Sequence, residues 1–82
     1  MVKVRFFAML RRLAGTESRE YEIDGPVTVR KLKDMLKEDF PALRETLDGR
    51  SVLFSVNEKF SSNDTVINDG DEVGLLPPFS GG

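Results

Sequence analysis

The sequence predicts a two-layer α+β domain in which one long amphipathic helix lies on a mixed sheet. Three observations carry this. Val29, Leu32, Leu36 and Phe40 fall at spacings of 3, 4 and 4, with Met35 beside them, so a helix here has one apolar face. Val2, Val4 and Phe6 alternate with Lys3 and Arg5, the period-2 pattern of a half-buried strand. Further short apolar runs bounded by turn residues follow to the end of the chain, and one helix against several strands is stable as two layers around one core. With 82 residues, the chain suits a single domain burying about 60–65% of its unfolded surface.

Taken in order, Val2–Phe6 is the first strand. Ala8 to Ala14 is rich in helix formers and stops at Gly15, a residue suited to a helix C-terminus. Ser18 to Ile23 alternates again, with Tyr21 and Ile23 on one face and Glu20 and Glu22 on the other. Gly25-Pro26 breaks the chain, and Thr28 is the expected N-cap of the main helix, which runs to about Phe40. Pro41 ends it, because the residue before proline avoids the α region. Leu43 and Leu47 fit a further short helical turn, and Asp48-Gly49 a turn. Val52 to Val56 is a strongly apolar strand, Asn57-Glu58 turns the chain, and Lys59-Phe60 begins a short return strand. Ser61 to Asp64 reads as loop and Asn68 to Asp71 as a tight turn. Val73 to Leu76 is the last strand, and Pro77 ends it by removing a donor.

Composition excludes several classes of function. With 12 basic and 14 acidic residues the net charge is −2, so the basic excess of a nucleic-acid footprint is missing. No apolar run approaches the 18 or so residues of a membrane span, and no signal peptide precedes the first strand; a cytoplasmic location is the expectation. The chain contains no Cys, hence no disulfide and no thiolate nucleophile. It contains no His, hence neither the commonest general base nor a main zinc ligand. Phosphate-cradling glycine motifs are missing too. Asp69, Asp71 and Glu72 only superficially resemble a cation loop, which needs a wider ligand set over about 12 residues. No metal site is expected.

The last residues are the most informative. After the final strand come Pro77-Pro78-Phe79-Ser80-Gly81-Gly82. At average glycine usage of about 7%, two glycines at one given place is about a one-in-200 event. Extended at about 3.3 Å per residue, such a segment reaches about 20 Å beyond the fold. Glycines lack Cβ atoms and pass through narrow channels in almost any backbone conformation. Residues 1–76 are therefore read as the folded domain and 77–82 as a flexible, reactive C-terminal tail able to deliver a carboxylate into another protein's active site.

The start Val4-Arg5-Phe6-Phe7-Ala8-Met9-Leu10-Arg11 and the end Asp69-Gly70-Asp71-Glu72-Val73, then Leu76-Pro77-Pro78-Phe79-Ser80-Gly81-Gly82, resemble the MoaD family over the whole length. These are the small subunits of molybdopterin synthase, ubiquitin-like sulfur carriers with a β-grasp fold. ThiS carriers of thiazole synthesis share the Gly-Gly but typically lack the Pro-Pro; archaeal ubiquitin-like modifiers share the tail. The resemblance implies a β-grasp domain and one reactive group, the Gly82 carboxylate beside Gly81. An E1-like adenylyltransferase of the MoeB type, using ATP and magnesium, would adenylate Gly82 so that AMP becomes the leaving group. A desulfurase system would supply sulfur, leaving a thiocarboxylate. A MoaE-type large subunit would bind the tail, supply the catalytic side chains and use two such tails in turn to build the dithiolene. The chain itself would bind no cofactor and be monomeric when free, bringing the sulfur rather than the catalyst.

The resemblance also implies that Phe7, Arg11, Phe60 and Leu76 meet partners, together with tail residues Pro77, Pro78, Phe79 and Ser80. Phe7 is out of phase with Val2, Val4 and Phe6, and Leu76 with Val73 and Leu75, which turns both to the opposite sheet face; strands buried on both faces would give the same pattern. Phe79 either fills a partner pocket or packs back on the sheet. Arg11-Arg12 either steers an acidic partner or is a solvated face, and the basic set Arg30, Lys31, Lys33 and Lys37 reads as solvated. Three rival functions use the same sequence: a ubiquitin-like modifier joined through Gly82 to lysines, a sulfur carrier for another pathway of the thiamine type, and an interaction module without acyl chemistry.

Overall fold

The computed structural model describes residues 1–49 and 52–77. The first strand, β1, is Val2–Phe6, with Val2, Val4 and Phe6 buried and Lys3 and Arg5 exposed, so it is one-faced as its alternation predicts. Helix α1, Met9–Ala14, ends at Gly15, which takes a left-handed conformation (φ 76°) and donates its N–H to the Arg11 carbonyl. Strand β2 is Ser18–Tyr21 rather than Ser18 to Ile23. It pairs antiparallel with β1, and Val2↔Tyr21 is the last pair the start of β1 can supply.

Two short strands escape the periodicity. Val27–Thr28 is β3, and it pairs with β6, Val66–Ile67. Two residues cannot display a period, and the pairing is long-range. Helix α2, Val29–Asp39, starts where expected: the Thr28 hydroxyl accepts the Lys31 N–H at 3.1 Å. Phe40 is its C-cap rather than its last turn, with its ring edge-on to Phe6 at 5.2 Å. Pro41–Leu43 forms a 3-10 turn leading into α3, Arg44–Asp48, which carries Leu43 and Leu47 into the core. Strand β4 is Leu53–Val56 and β5 is Lys59–Phe60. They are joined by Asn57 (φ 50°) and Glu58 (φ 70°), a two-residue hairpin turn whose left-handed residues match the strand twist. The last strand, β7, is Glu72–Leu76.

The main sheet runs β2-β1-β7-β4-β5, with β1 and β7 parallel at its centre and the other pairs antiparallel. Val2, Val4, Phe6, Phe54, Val73 and Leu75 from the sheet form one core with Val29, Leu32 and Leu36 of α2, Leu10 of α1 and Ile67 of β6. Each such side chain fully buried stabilises the fold by about 1.5–3 kcal/mol. The Tyr21 hydroxyl donates to Asp39 at 2.7 Å and Arg19 lies 3.5 Å from the same carboxylate, pinning edge strand β2 to the end of α2. Burial first, then the Asp39 bond, pushes the Tyr21 phenol far above its ordinary value, so it remains a donor.

At the start of β7 a compact polar network closes the fold. Asn57 donates its amide to Asp71 at 3.0 Å and accepts the Glu72 N–H at 2.9 Å. The Asn68 N–H donates to Asp71 at 2.8 Å, and the Met1 amino group meets Asp69. The Asn68 and Asn57 bonds hold the Asp71 carboxyl below the usual carboxylate range. β7 thus leaves a pinned base and carries the chain towards Pro77 at its other end.

Candidate functional site

Helix α2 covers one face of the sheet, and the candidate site is the other. Registers place its residues in rows. Phe60 of β5 lies opposite Ser55, Ser55 opposite Gly74, and Gly74 opposite Arg5. One step along, Leu53 lies opposite Leu76. Side chains two apart share a face, so Lys3 and Arg5 of β1 lie on the face away from the core that Val2, Val4 and Phe6 line.

The Phe7 ring joins them. An ideal Cβ on Gly74 would lie 3.3 Å from Phe7 Cε2 and 3.6 Å from Leu76 Cδ1, so both side chains gather over Gly74. Phe7, Leu53 and Leu76 are half-buried, whereas Phe60 is 68% exposed. The Arg5 guanidinium stands 5.4 Å from the Phe7 ring centroid and 3.8 Å from Glu72. The one-faced burial of β1 settles the choice for Phe7: it is turned to the outer face, not into a second core.

The chain at Phe7 is held by its backbone. Its N–H donates to the Leu75 carbonyl at 3.1 Å, and its own carbonyl accepts from Leu10 at 3.1 Å. Next to it, Ala8 sits at φ 53° and ψ −131°, a conformation that suits glycine and strains a residue with a Cβ. This sharp bend lets β1 turn straight into α1 and brings Arg11 beside Phe7. Arg11 lies 3.6 Å from Glu17, and the two line a polar cavity of about 140 Å³ with Lys3, Arg5, Phe7 and Ser18.

The four expected contact residues of the folded domain therefore lie together: Phe7, Leu76 and Phe60 on one sheet face, and Arg11 at its rim. Pro77 follows β7 directly and is half-buried. Pro78, Phe79, Ser80, Gly81 and Gly82 lie outside the described residues. Sequence reasoning passed over Arg5, Leu53, Ser55 and Gly74 on this face. Gly74 carried a signal: a glycine inside an apolar strand marks a close approach by something else. Among the described residues no cluster of His, Cys, Asp or Glu could hold a metal, and no helix is long and apolar enough to cross a membrane.

A parallel central strand pair and one helix across one face, with a partly apolar opposite face, define a ubiquitin-like β-grasp protein. Residues 4–82 match the ThiS family. The chain belongs to that family, and within it resembles the MoaD-type carriers. It is 38% identical over 82 residues to the molybdopterin synthase sulfur carrier subunit of Escherichia coli (strain K12), covering 100% of both chains. The crystal structure of the small archaeal modifier SAMP1 from Haloferax volcanii matches with TM-score 0.86 and 30% identity, covering 99% of this chain and 98% of that one. The complex of subunits 1 and 2 of the molybdopterin-converting factor of Helicobacter pylori 26695 includes a chain matching with TM-score 0.69 and 28% identity, over 99% of this chain and 97% of that one.

Proposed function

We propose that this chain is a sulfur carrier subunit of molybdopterin synthase, delivering sulfur as a thiocarboxylate on Gly82 for dithiolene formation in the cytoplasm. The observation that carries it is the Pro-Pro to Gly-Gly sequence that follows β7, on a chain 38% identical over 82 residues to a named carrier. A carboxylate is a poor acyl donor at neutral pH because its leaving group would be oxide. Adenylation of Gly82 by an E1-like partner, with ATP and magnesium bound by that partner, makes AMP the leaving group. A sulfur nucleophile from a desulfurase system then displaces AMP. The thiocarboxylate enters the active site of a MoaE-type large subunit, which supplies the catalytic groups.

On this reading the chain's own work is presentation. Phe7, Phe60 and Leu76 bind the large subunit, Arg11 meets its rim, and Pro77, Pro78, Phe79 and Ser80 guide Gly81-Gly82 into the channel. The subunit pair in the Helicobacter complex supports a large-subunit partner. The modifier reading needs the same tail and activation, but the curated relatives carry the sulfur-carrier name.

Reconstitution tests it. Chain carrying the thiocarboxylate, mixed with large subunit and cyclic precursor, is expected to yield molybdopterin, whereas a chain lacking Gly81-Gly82 unfolds at an unchanged midpoint and yields none. Gly-Gly remnants on lysines of other proteins, with no molybdopterin formed, would instead establish the modifier.

A further inference from the structure

Of Gly15, Gly25, Gly70 and Gly74, Gly74 alone has other atoms crowded against it. A Cβ there would lie 2.7 Å from Ser55 Oγ and 3.3 Å from the Phe7 ring, while Gly15, Gly25 and Gly70 would meet nothing within 4 Å. Its φ is not left-handed, so backbone conformation does not call for glycine. Space does. The vacant Cβ position is filled from one side by the Ser55 hydroxyl and from the other by the Phe7 ring edge.

We infer that Gly74 is a positioning residue for docking: with Ser55, it sets where the Phe7 ring rests on the open sheet face. This rests on the reading that this face binds the large subunit. Other contacts also bear on Phe7. Its backbone is tied to Leu75 and bent at Ala8, but its ring is steadied on the exposed side by the Arg5 guanidinium. A methyl group at residue 74 moves the ring by a few tenths of an ångström, or displaces Ser55, or both. Leu76, 3.6 Å from the same point, stays at ordinary contact. The change therefore falls on one side of the Phe7–Leu76 strip and alters its shape rather than its polarity. Interface anchors depend on close fit, so a small displacement costs affinity even where stability survives.

The experiment measures affinity for the large subunit from the same organism, together with unfolding midpoints and the NMR signals of the Phe7 ring. Gly74→Ala is expected to move those ring signals and weaken binding by about tenfold or more, the scale of a displaced anchor. Measured against Ser55→Ala alone, Gly74→Ala with Ser55→Ala should change affinity by less than about threefold and leave the ring signals nearly in place, because the nearest obstructing atom is gone. In a Phe7→Ala background, Gly74→Ala should cost less than about twofold more. Wild-type affinity in Gly74→Ala overturns the inference, as does an equal loss with and without Phe7. If Gly74→Ala alone does not fold, a folded Gly74→Ala/Ser55→Ala chain that still binds about tenfold weakly, or that leaves the Phe7 signals unmoved from an altered position, overturns it equally. Wild-type chain that fails to bind the large subunit overturns the docking reading itself, and this inference with it.

Discussion

Phe60 separates docking from folding most cleanly. The residue sits on edge strand β5 and is 68% exposed. A Phe side chain carries about 200 Å² of surface, so about two-thirds of that, or about 135 Å², remains in water in the free chain. At about 25 cal/mol per Å², covering it in a complex stabilises that complex by about 3 kcal/mol, while the third already covered contributes at most about 1.6 kcal/mol to the fold. Part of the gain is offset by ordering the side chain, so Phe60→Ala should weaken large-subunit binding by about 2–3 kcal/mol, or about 30- to 150-fold in Kd. The same substitution should lower stability by no more than about 1.6 kcal/mol. Calorimetric titration against the large subunit and urea unfolding followed by circular dichroism give the two numbers. Affinity within about twofold of wild type would refute the assignment of this face as the docking surface. A stability loss above about 3 kcal/mol would show that Phe60 serves the fold instead.

Three further outcomes follow from the packing. Leu36 is fully buried, so Leu36→Ala should cost about 2–5 kcal/mol in urea unfolding; a cost near zero would remove α2 from the core. Ala8 holds a glycine-like conformation, so Ala8→Gly should relieve strain and raise stability by about 1 kcal/mol, with a lower unfolding midpoint as the contrary result. Asp71 titrates below its unfolded value, so its contribution is present above pH about 4 and is lost as pH falls through the lower folded value; Asp71→Ala should flatten that part of the acid limb of the stability profile. An unchanged acid limb would show that the Asn57–Asp71–Asn68 network adds nothing.

The sequence carried α2 because four apolar residues repeat on one face, and β1 because three alternate cleanly. It carried the Thr28 cap and the Gly15 stop because those residue types have a local mechanism. Elements without a local signal were not legible. Val66–Ile67 is too short to show a period, yet Ile67 is a fully buried core residue, placed there by pairing with Val27–Thr28 across the chain. Ile23 alternates correctly but falls outside β2, since strand length is decided by the partner as much as by the pattern. The same division holds at the site. Phe7 and Leu76 announced themselves by being out of phase. Ser55 and Leu53 meet them only through register, a property of three strands together, and Gly74, a glycine inside an apolar strand, signalled a close approach without saying by what.

The central claim is that the chain carries sulfur on its last residue. The most direct measurement is the mass of the C-terminal tryptic fragment, which begins at Phe60 and contains no Met. Sulfur in place of oxygen is nominally isobaric with one added oxygen, so intact mass confuses it with oxidation of Met1, Met9 or Met35; this fragment does not. After incubation with an E1-like enzyme, ATP, magnesium and a sulfur donor, the account predicts one oxygen-to-sulfur exchange located at Gly82 and dependent on ATP. A fragment that stays unmodified under conditions that charge the Escherichia coli carrier would contradict it.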